Sequence, residues 1–96
     1  MNDIMYKVVL AKRYKKGIKR LRKSGSFSEG NLRNVLYLLA EGKSLPQKYC
    51  DHQLSGVLKN LRECHLEPDL LLIYELSSES LTLFLVNIGS HSELFK

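Results

Sequence analysis

Three histidines, His52, His65 and His91, and one aspartate, Asp69, are the residues best suited to proton transfer, and all lie in the C-terminal half of the chain. Imidazole titrates near neutral pH, so it can take a proton in one step and return it in the next. A neighbouring carboxylate orients such a ring and favours its charged form. The spacing predicts that role for Asp69 beside His65, because Pro68 keeps the two from being helical neighbours and leaves them flanking a turn. Next to a basic surface, such a cluster suits a phosphodiester. In RNA the 2′-hydroxyl attacks the adjacent phosphorus once a base removes its proton, and an acid protonates the departing 5′-oxygen. No metal is required, and a cation near the phosphate stabilises the charge that develops.

Other readings of the same residues are weaker. Taken singly, each histidine also fits a hydrogen-bonded structural role at a strand end. Cys50, His52, Cys64 and His65 match none of the usual zinc-ligand spacings. Cys64 and His65 are consecutive, so in a strand they point to opposite faces and cannot form a nucleophile pair. The two cysteines fit a reducing compartment and read as small, partly buried thiols.

The elements that must position these groups follow from periodicity. Tyr6 to Leu10 reads as a first strand. Tyr14, Ile18 and Leu21 recur at helical spacing in a helix over Lys12 to Lys23, which Ser24-Gly25 stops. Ser28 is the N-cap expected for a second helix over Glu29 to Ala40, with Leu32, Val35, Leu36 and Leu39 as its apolar stripe and Gly42 at its end. Beyond Asp51 the pattern changes to strands: Val57 to Leu66, Leu70 to Leu76 after a Pro68-Asp69 turn, and Leu81 to Ile88 after a second tight connection. The order β-α-α-β-β-β implies an α+β domain spanning residues 1–96, an antiparallel sheet with two N-terminal helices packed on one face. Alternation places His65 with Glu63, opposite Arg62 and Cys64. His91, just past the last strand, reaches the same edge if that strand is central.

Charge divides the chain. The formal net charge is +5, yet nine basic residues and no acidic one lie between Lys7 and Lys23. Without interleaved glutamates these cations repel one another, so the stripe reads as a footprint for a polyanion, with Lys15, Lys19 and Arg22 its expected RNA contacts. No run approaches the roughly 20 apolar residues of a membrane span. The N-terminus lacks the apolar core of a signal peptide, so a cytoplasmic protein with no membrane partner is expected.

Three motifs make the reading specific: D-H-x-L-x-G (Asp51, His52, Leu54, Gly56), R-E-C-H-L-x-P-D-L-L-L-I-Y (Arg62 to Tyr74) and G-S-H-S-E-L-F (Gly89 to Phe95). Together they resemble the YafQ branch of the RelE-like bacterial toxins, from near residue 6 to the C-terminus. The resemblance implies the toxin of a type II toxin–antitoxin pair, an endoribonuclease that cuts messenger RNA in the A site of the 70S ribosome without metal or other cofactor. It implies a partner antitoxin of the DinJ/RelB kind, which covers the basic surface or displaces the C-terminal segment and connects the toxin to DNA only indirectly. Carried over by motif, His52, His65, Asp69 and His91 fall on catalytic positions and Phe95 on an aromatic position that holds the substrate base. Arg62 is expected to contact RNA, and His91 is expected to be the general acid.

One position departs. Where close relatives carry arginine in V-R-x-G-x-H, this chain has Asn87, which can donate a hydrogen bond but has no charge to face the scissile phosphate. Another cation serves nearby, or the toxin is weak, or the residue was substituted so that the chain could be expressed. A catalytically silent module acting through antitoxin binding and autoregulation is the alternative function. A basic nucleic-acid binder unrelated to toxins is a third.

Overall fold

The computed structural model describes residues 5–25 and 27–95. Strand β1 (Lys7–Leu10) leads into helix α1 (Lys12–Ser24) and helix α2 (Glu29–Ala40). A short β2 (His52–Gln53) precedes β3 (Arg62–Glu67), β4 (Leu70–Ser77), β5 (Thr82–Gly89) and a last helix, α3 (His91–Leu94).

Helix α1 has no side-chain cap and no acidic residue in its first turn, so packing rather than capping holds it. Tyr14 and Ile18 are buried and Leu21 packs at the margin of the core. Gly25 closes the helix at φ 66°, a left-handed conformation, donating its N–H to the Leu21 carbonyl at 3.0 Å. Helix α2 begins where expected: Ser28 Oγ accepts from the Asn31 N–H at 3.1 Å. It is tied to the sheet as well, since Ser28 N–H donates to Glu67 Oε2 at 2.7 Å and Asn31 Nδ2 to the Leu66 carbonyl at 3.2 Å.

The sheet order is β1-β5-β4-β3-β2. Strands β3, β4 and β5 form the expected antiparallel meander. The sheet as a whole is mixed rather than antiparallel, because β1 pairs in parallel with β5, from Lys7 opposite Thr82 to Leu10 opposite Leu85. A three-stranded meander leaves the outer edge of its last strand unpaired, and β1 covers half of that edge. The α+β class therefore stands, with β5 made an interior strand. Leu70, Leu72, Tyr74, Leu83, Leu85 and Ile88 face the two long helices and join Leu32, Val35 and Leu39 in the core. Each such side chain contributes roughly 1.5–3 kcal/mol on burial.

The strand expected from Val57 starts only at Arg62. Gly56 takes φ 67°, residues 56–58 form a single 3₁₀ turn, and Val57 is fully exposed. The chain must turn back here, because His52 and Gln53 pair antiparallel with Glu63 and Arg62. Among the described residues no helix is long and apolar enough to cross a membrane.

Candidate active site

The face of the sheet turned away from the helices carries the titratable groups. Register places His52, Glu63, Ile73 and Asn87 in one row across four strands, with His65 opposite Leu71 in the next row. A residue slip on β5, where Ile73 pairs with Asn87 but Tyr74 with Leu85, shifts the alternation so that Asn87 lands on this face while Leu85 and Ile88 remain in the core. Because β5 pairs with β4 as far as Gly89 opposite Leu71, the turn that follows it brings His91 beside the start of β4. The ring centroids of His52 and His65 lie 6.5 Å apart, and those of His65 and His91 5.8 Å apart. The structure thus brings all three histidines together.

Two of the three rings are held by hydrogen bonds. His52 Nδ1 lies 2.8 Å from the Cys50 carbonyl, which only accepts, so Nδ1 carries the hydrogen and Nε2 faces Glu63 Oε1 at 3.2 Å. His65 Nε2 stands 3.6 Å from the same oxygen. His91 Nδ1 donates to Asp69 Oδ1 at 2.9 Å, and the His91 backbone N–H donates to that oxygen at 3.1 Å. These two bonds hold the Asp69 carboxyl below its ordinary pKa, the side-chain bond contributing most. Asp69 therefore serves His91 and not His65, a correction to the expectation from spacing: across the Pro68-Asp69 turn its carboxylate meets the incoming N-terminus of α3. The group serving His65 is Glu63, which sequence reasoning noted only as sharing its face. Glu63 is 6% exposed, and the signal available in the sequence was a carboxylate two residues before His65, on the same face of a strand.

Helix α3 owes its position to a capping box. Ser90 Oγ accepts from Glu93 N–H at 3.3 Å, and Glu93 Oε1 accepts from Ser90 N–H at 2.8 Å. Gly89 makes room for this, since a Cβ there would stand 2.7 Å from Glu93 Oε1. Phe95, the C-cap of α3, is exposed.

Arg62 lies elsewhere. It points to the helix side, opposite Tyr74 in register, and pairs with Asp51 at 3.0 Å, while the Tyr74 hydroxyl also donates to Asp51. Burial first, then Asp51, raises the Tyr74 pKa. This anchor fixes the segment from which His52 projects. Arg22 is likewise engaged, bonding Glu29 at 2.8 Å, whereas Lys15 and Lys19 are exposed. Cys64 is fully buried, and burial pushes its thiol up to about 12. Cys50, read as partly buried, is exposed, because it sits in a left-handed turn at φ 49° beyond the buried Tyr49.

Two clefts lie on this side of the molecule, one of them against the cluster. One, of about 280 Å³, runs beside His65 and is lined by Asn31, Lys48, Tyr49 and Cys50 among others. The second, of about 400 Å³, has Asn87, Arg13, Lys16, Arg20, Glu93 and Leu94 as its lining.

Fold and cluster together define an α+β protein of the RelE-like toxin class. Residues 6–96 match the family model for the bacterial toxin of type II toxin-antitoxin system, YafQ, and the chain belongs to that family. It is 43% identical over 51 residues to the mRNA interferase toxin YafQ of Escherichia coli K12, a match spanning 53% of each chain, so it spans about half the length of that curated relative. A metal-bound toxin from Helicobacter pylori superposes with a TM-score of 0.87 at 47% identity, covering 95% of this chain and all of the other. The E. coli DinJ-YafQ toxin-antitoxin complex contains a chain with a TM-score of 0.86 at 32% identity, covering 97% of this chain and 100% of that one. Among the described residues here, no group of three or more His, Cys, Asp or Glu side chains is arranged to hold a metal ion.

Proposed function

We propose that this chain is the toxin of a type II toxin–antitoxin pair and cuts messenger RNA in the ribosomal A site, acting in the cytoplasm through acid–base attack by the 2′-hydroxyl. The observation that carries this reading is the convergence of three imidazoles on one sheet face, with His52 and His91 each hydrogen-bonded through Nδ1 and His65 Nε2 standing 3.6 Å from the Glu63 carboxylate. With Nδ1–H of His91 committed to Asp69, Nε2 is the atom that exchanges a proton.

In the first step His65, backed by Glu63, takes the proton of the 2′-hydroxyl. The O2′–P bond forms and the P–O5′ bond breaks, leaving a 2′,3′-cyclic phosphate. His91, protonated, gives its Nε2 proton to the departing 5′-oxygen. His52 shares Glu63 with His65 and holds that carboxylate in place. Phe95 offers its exposed ring to the base flanking the cut. Lys15 and Lys19, exposed on α1, contact ribosomal RNA, and a DinJ-like antitoxin neutralises the protein in its resting state.

Primer extension on programmed ribosomes tests this. The unsubstituted chain should cut within the A-site codon, and His91→Ala should lower the rate by roughly 10²–10⁴-fold. If neither this chain nor its Asn87→Arg form cuts, the function is antitoxin binding alone.

A further inference from the structure

Cleaving a phosphodiester places growing negative charge on the phosphoryl oxygens, and a site that does so needs a positive group facing them. Among the described residues the cluster itself holds no lysine or arginine, its groups being histidines, carboxylates and the neutral Asn87, and the cleft beside His65 adds only Lys48. Helix α1 supplies them from the side. Strand β1 covers β5 only as far as Leu85, whose carbonyl accepts from Ala11 N–H at 2.9 Å. Beyond that point α1 itself lies along the β5 edge. Its approach is close because residue 17 is glycine; a Cβ there would stand 2.6 Å from the Ile88 carbonyl oxygen.

Arg13, Lys16 and Arg20 flank Gly17 at the spacing of one helical face. They line the cleft of about 400 Å³ to which β5 contributes Asn87 and α3 contributes Glu93 and Leu94. Glu93, the single carboxylate of that lining, is matched by Arg20 at 3.1 Å and by its bond to Ser90 N–H. Arg13 and Lys16 are exposed and make no ion pair among the described residues. No acidic residue lies on α1 to offset them. Asn87 Oδ1 already accepts from the Ile88 N–H at 2.9 Å, which leaves its amide NH₂ to donate into the cleft. The cleft is connected to the cluster through α3, which begins with His91 and supplies Glu93 and Leu94 to the cleft wall, and through Asn87, which lies in the same register row as Glu63 two strands away.

We propose that Arg13 and Lys16 of α1, converging on the cleft floored by Asn87, bind the scissile phosphate and supply the positive charge that Asn87 lacks. This rests on the ribonuclease reading above for its catalytic meaning, but the anion site it describes can be tested apart from it. The arginine fork can engage two phosphoryl oxygens and the lysine adds a point charge. Of the basic stripe, the residues facing the chemistry are then Arg13 and Lys16, not Lys15 and Lys19.

The test has two arms on the intact chain. In the first, inorganic phosphate is titrated while the Asn87 side-chain amide is followed by NMR. Its signals should shift, and the double variant Arg13→Gln/Lys16→Gln should abolish the shift. A shift that survives the double variant, or no shift in the unsubstituted chain, overturns the proposal. In the second arm, single-turnover cleavage is measured at saturating toxin, so that ribosome affinity does not enter. The double variant should slow cleavage by about 10²–10³-fold, the loss associated with one oxyanion contact. Adding Asn87→Arg to the double variant should restore most of that rate, whereas adding it to His91→Ala should not. An unchanged rate in the double variant, or an equal loss with and without Asn87→Arg, overturns the proposal. So does cleavage by the Asn87→Arg chain but not by the unsubstituted one. If none of the chains cuts while phosphate still shifts Asn87 through Arg13 and Lys16, the ribonuclease reading fails and the anion site stands.

Discussion

Asp69 and His91, 22 positions apart, are joined through one carboxylate oxygen that accepts from both the backbone N–H and the Nδ1 of the histidine. The backbone bond sets where α3 begins and the side-chain bond sets which ring nitrogen is free. One aspartate thereby fixes the position and the protonation pattern of the proposed acid.

Removing that carboxylate should harm chemistry more than folding, because both side chains are largely exposed. Asp69→Ala is expected to lower single-turnover cleavage by about 10²-fold, part of what a positioned acid contributes. Its melting temperature should stay close to that of the parent. An Asp69→Ala chain that cuts at the parental rate would show that His91 needs no orienting partner.

The pH dependence of the same pair has a definite sign. The Asp69 pKa is depressed below 3.8 by its bonds to His91. An acid whose folded pKa is depressed contributes above its unfolded value and loses that contribution as pH falls through the folded one. The pair should therefore persist from neutrality down to about pH 4 and break only in stronger acid. Carbon-detected NMR titration of the Asp69 carboxyl should give a midpoint below 3.8, and a midpoint at or above that value would count against the bond.

Two glycines in helices should respond oppositely to alanine. Gly17→Ala drives a methyl against the Ile88 carbonyl at 2.6 Å and should destabilise by roughly 1–3 kcal/mol in urea unfolding, pushing α1 off the β5 edge. In Gly30→Ala the new methyl meets only Ser28 Oγ, at 3.6 Å, an ordinary contact. Relief of the helical glycine should then stabilise by up to about 1 kcal/mol. Equal effects of the two changes would mean that α1 does not approach β5 so closely.

The thiols should separate cleanly under iodoacetamide. Cys50 is exposed, whereas Cys64 is fully buried and its thiol is pushed up to about 12 by desolvation. Mass spectrometry of the folded protein should find Cys50 modified and Cys64 intact, with Cys64 reacting only after denaturation. Modification of both at similar rates in the folded state would contradict the placement of Cys64 in the core.

What the sequence determined by itself was local. Helix α2 runs over Glu29–Ala40 as its apolar stripe and the Ser28 cap require, and α1 stops at Gly25 where a left-handed residue was needed. Alternation along β3 correctly put His65 with Glu63 and away from Cys64, because side chains two apart share a face whatever the strand's neighbours are. Tertiary structure decided what lies next to what. The parallel pairing of β1 with β5 makes β5 interior, and the register of β5 on β4 and of β4 on β3, with Gly89 opposite Leu71 and Leu71 opposite His65, carries His91 to His65; no periodicity within a strand specifies those partners. The same assembly delivers Asp69 to His91 rather than to its sequence neighbour His65, and gives Glu63 two histidines. It also turns Arg13 and Lys16, not Lys15 and Lys19, toward the Asn87 cleft. A helix's apolar stripe fixes which side is buried, but the angle at which it meets the sheet edge is set by the close approach at Gly17, a contact between residues 71 positions apart, Gly17 and Ile88.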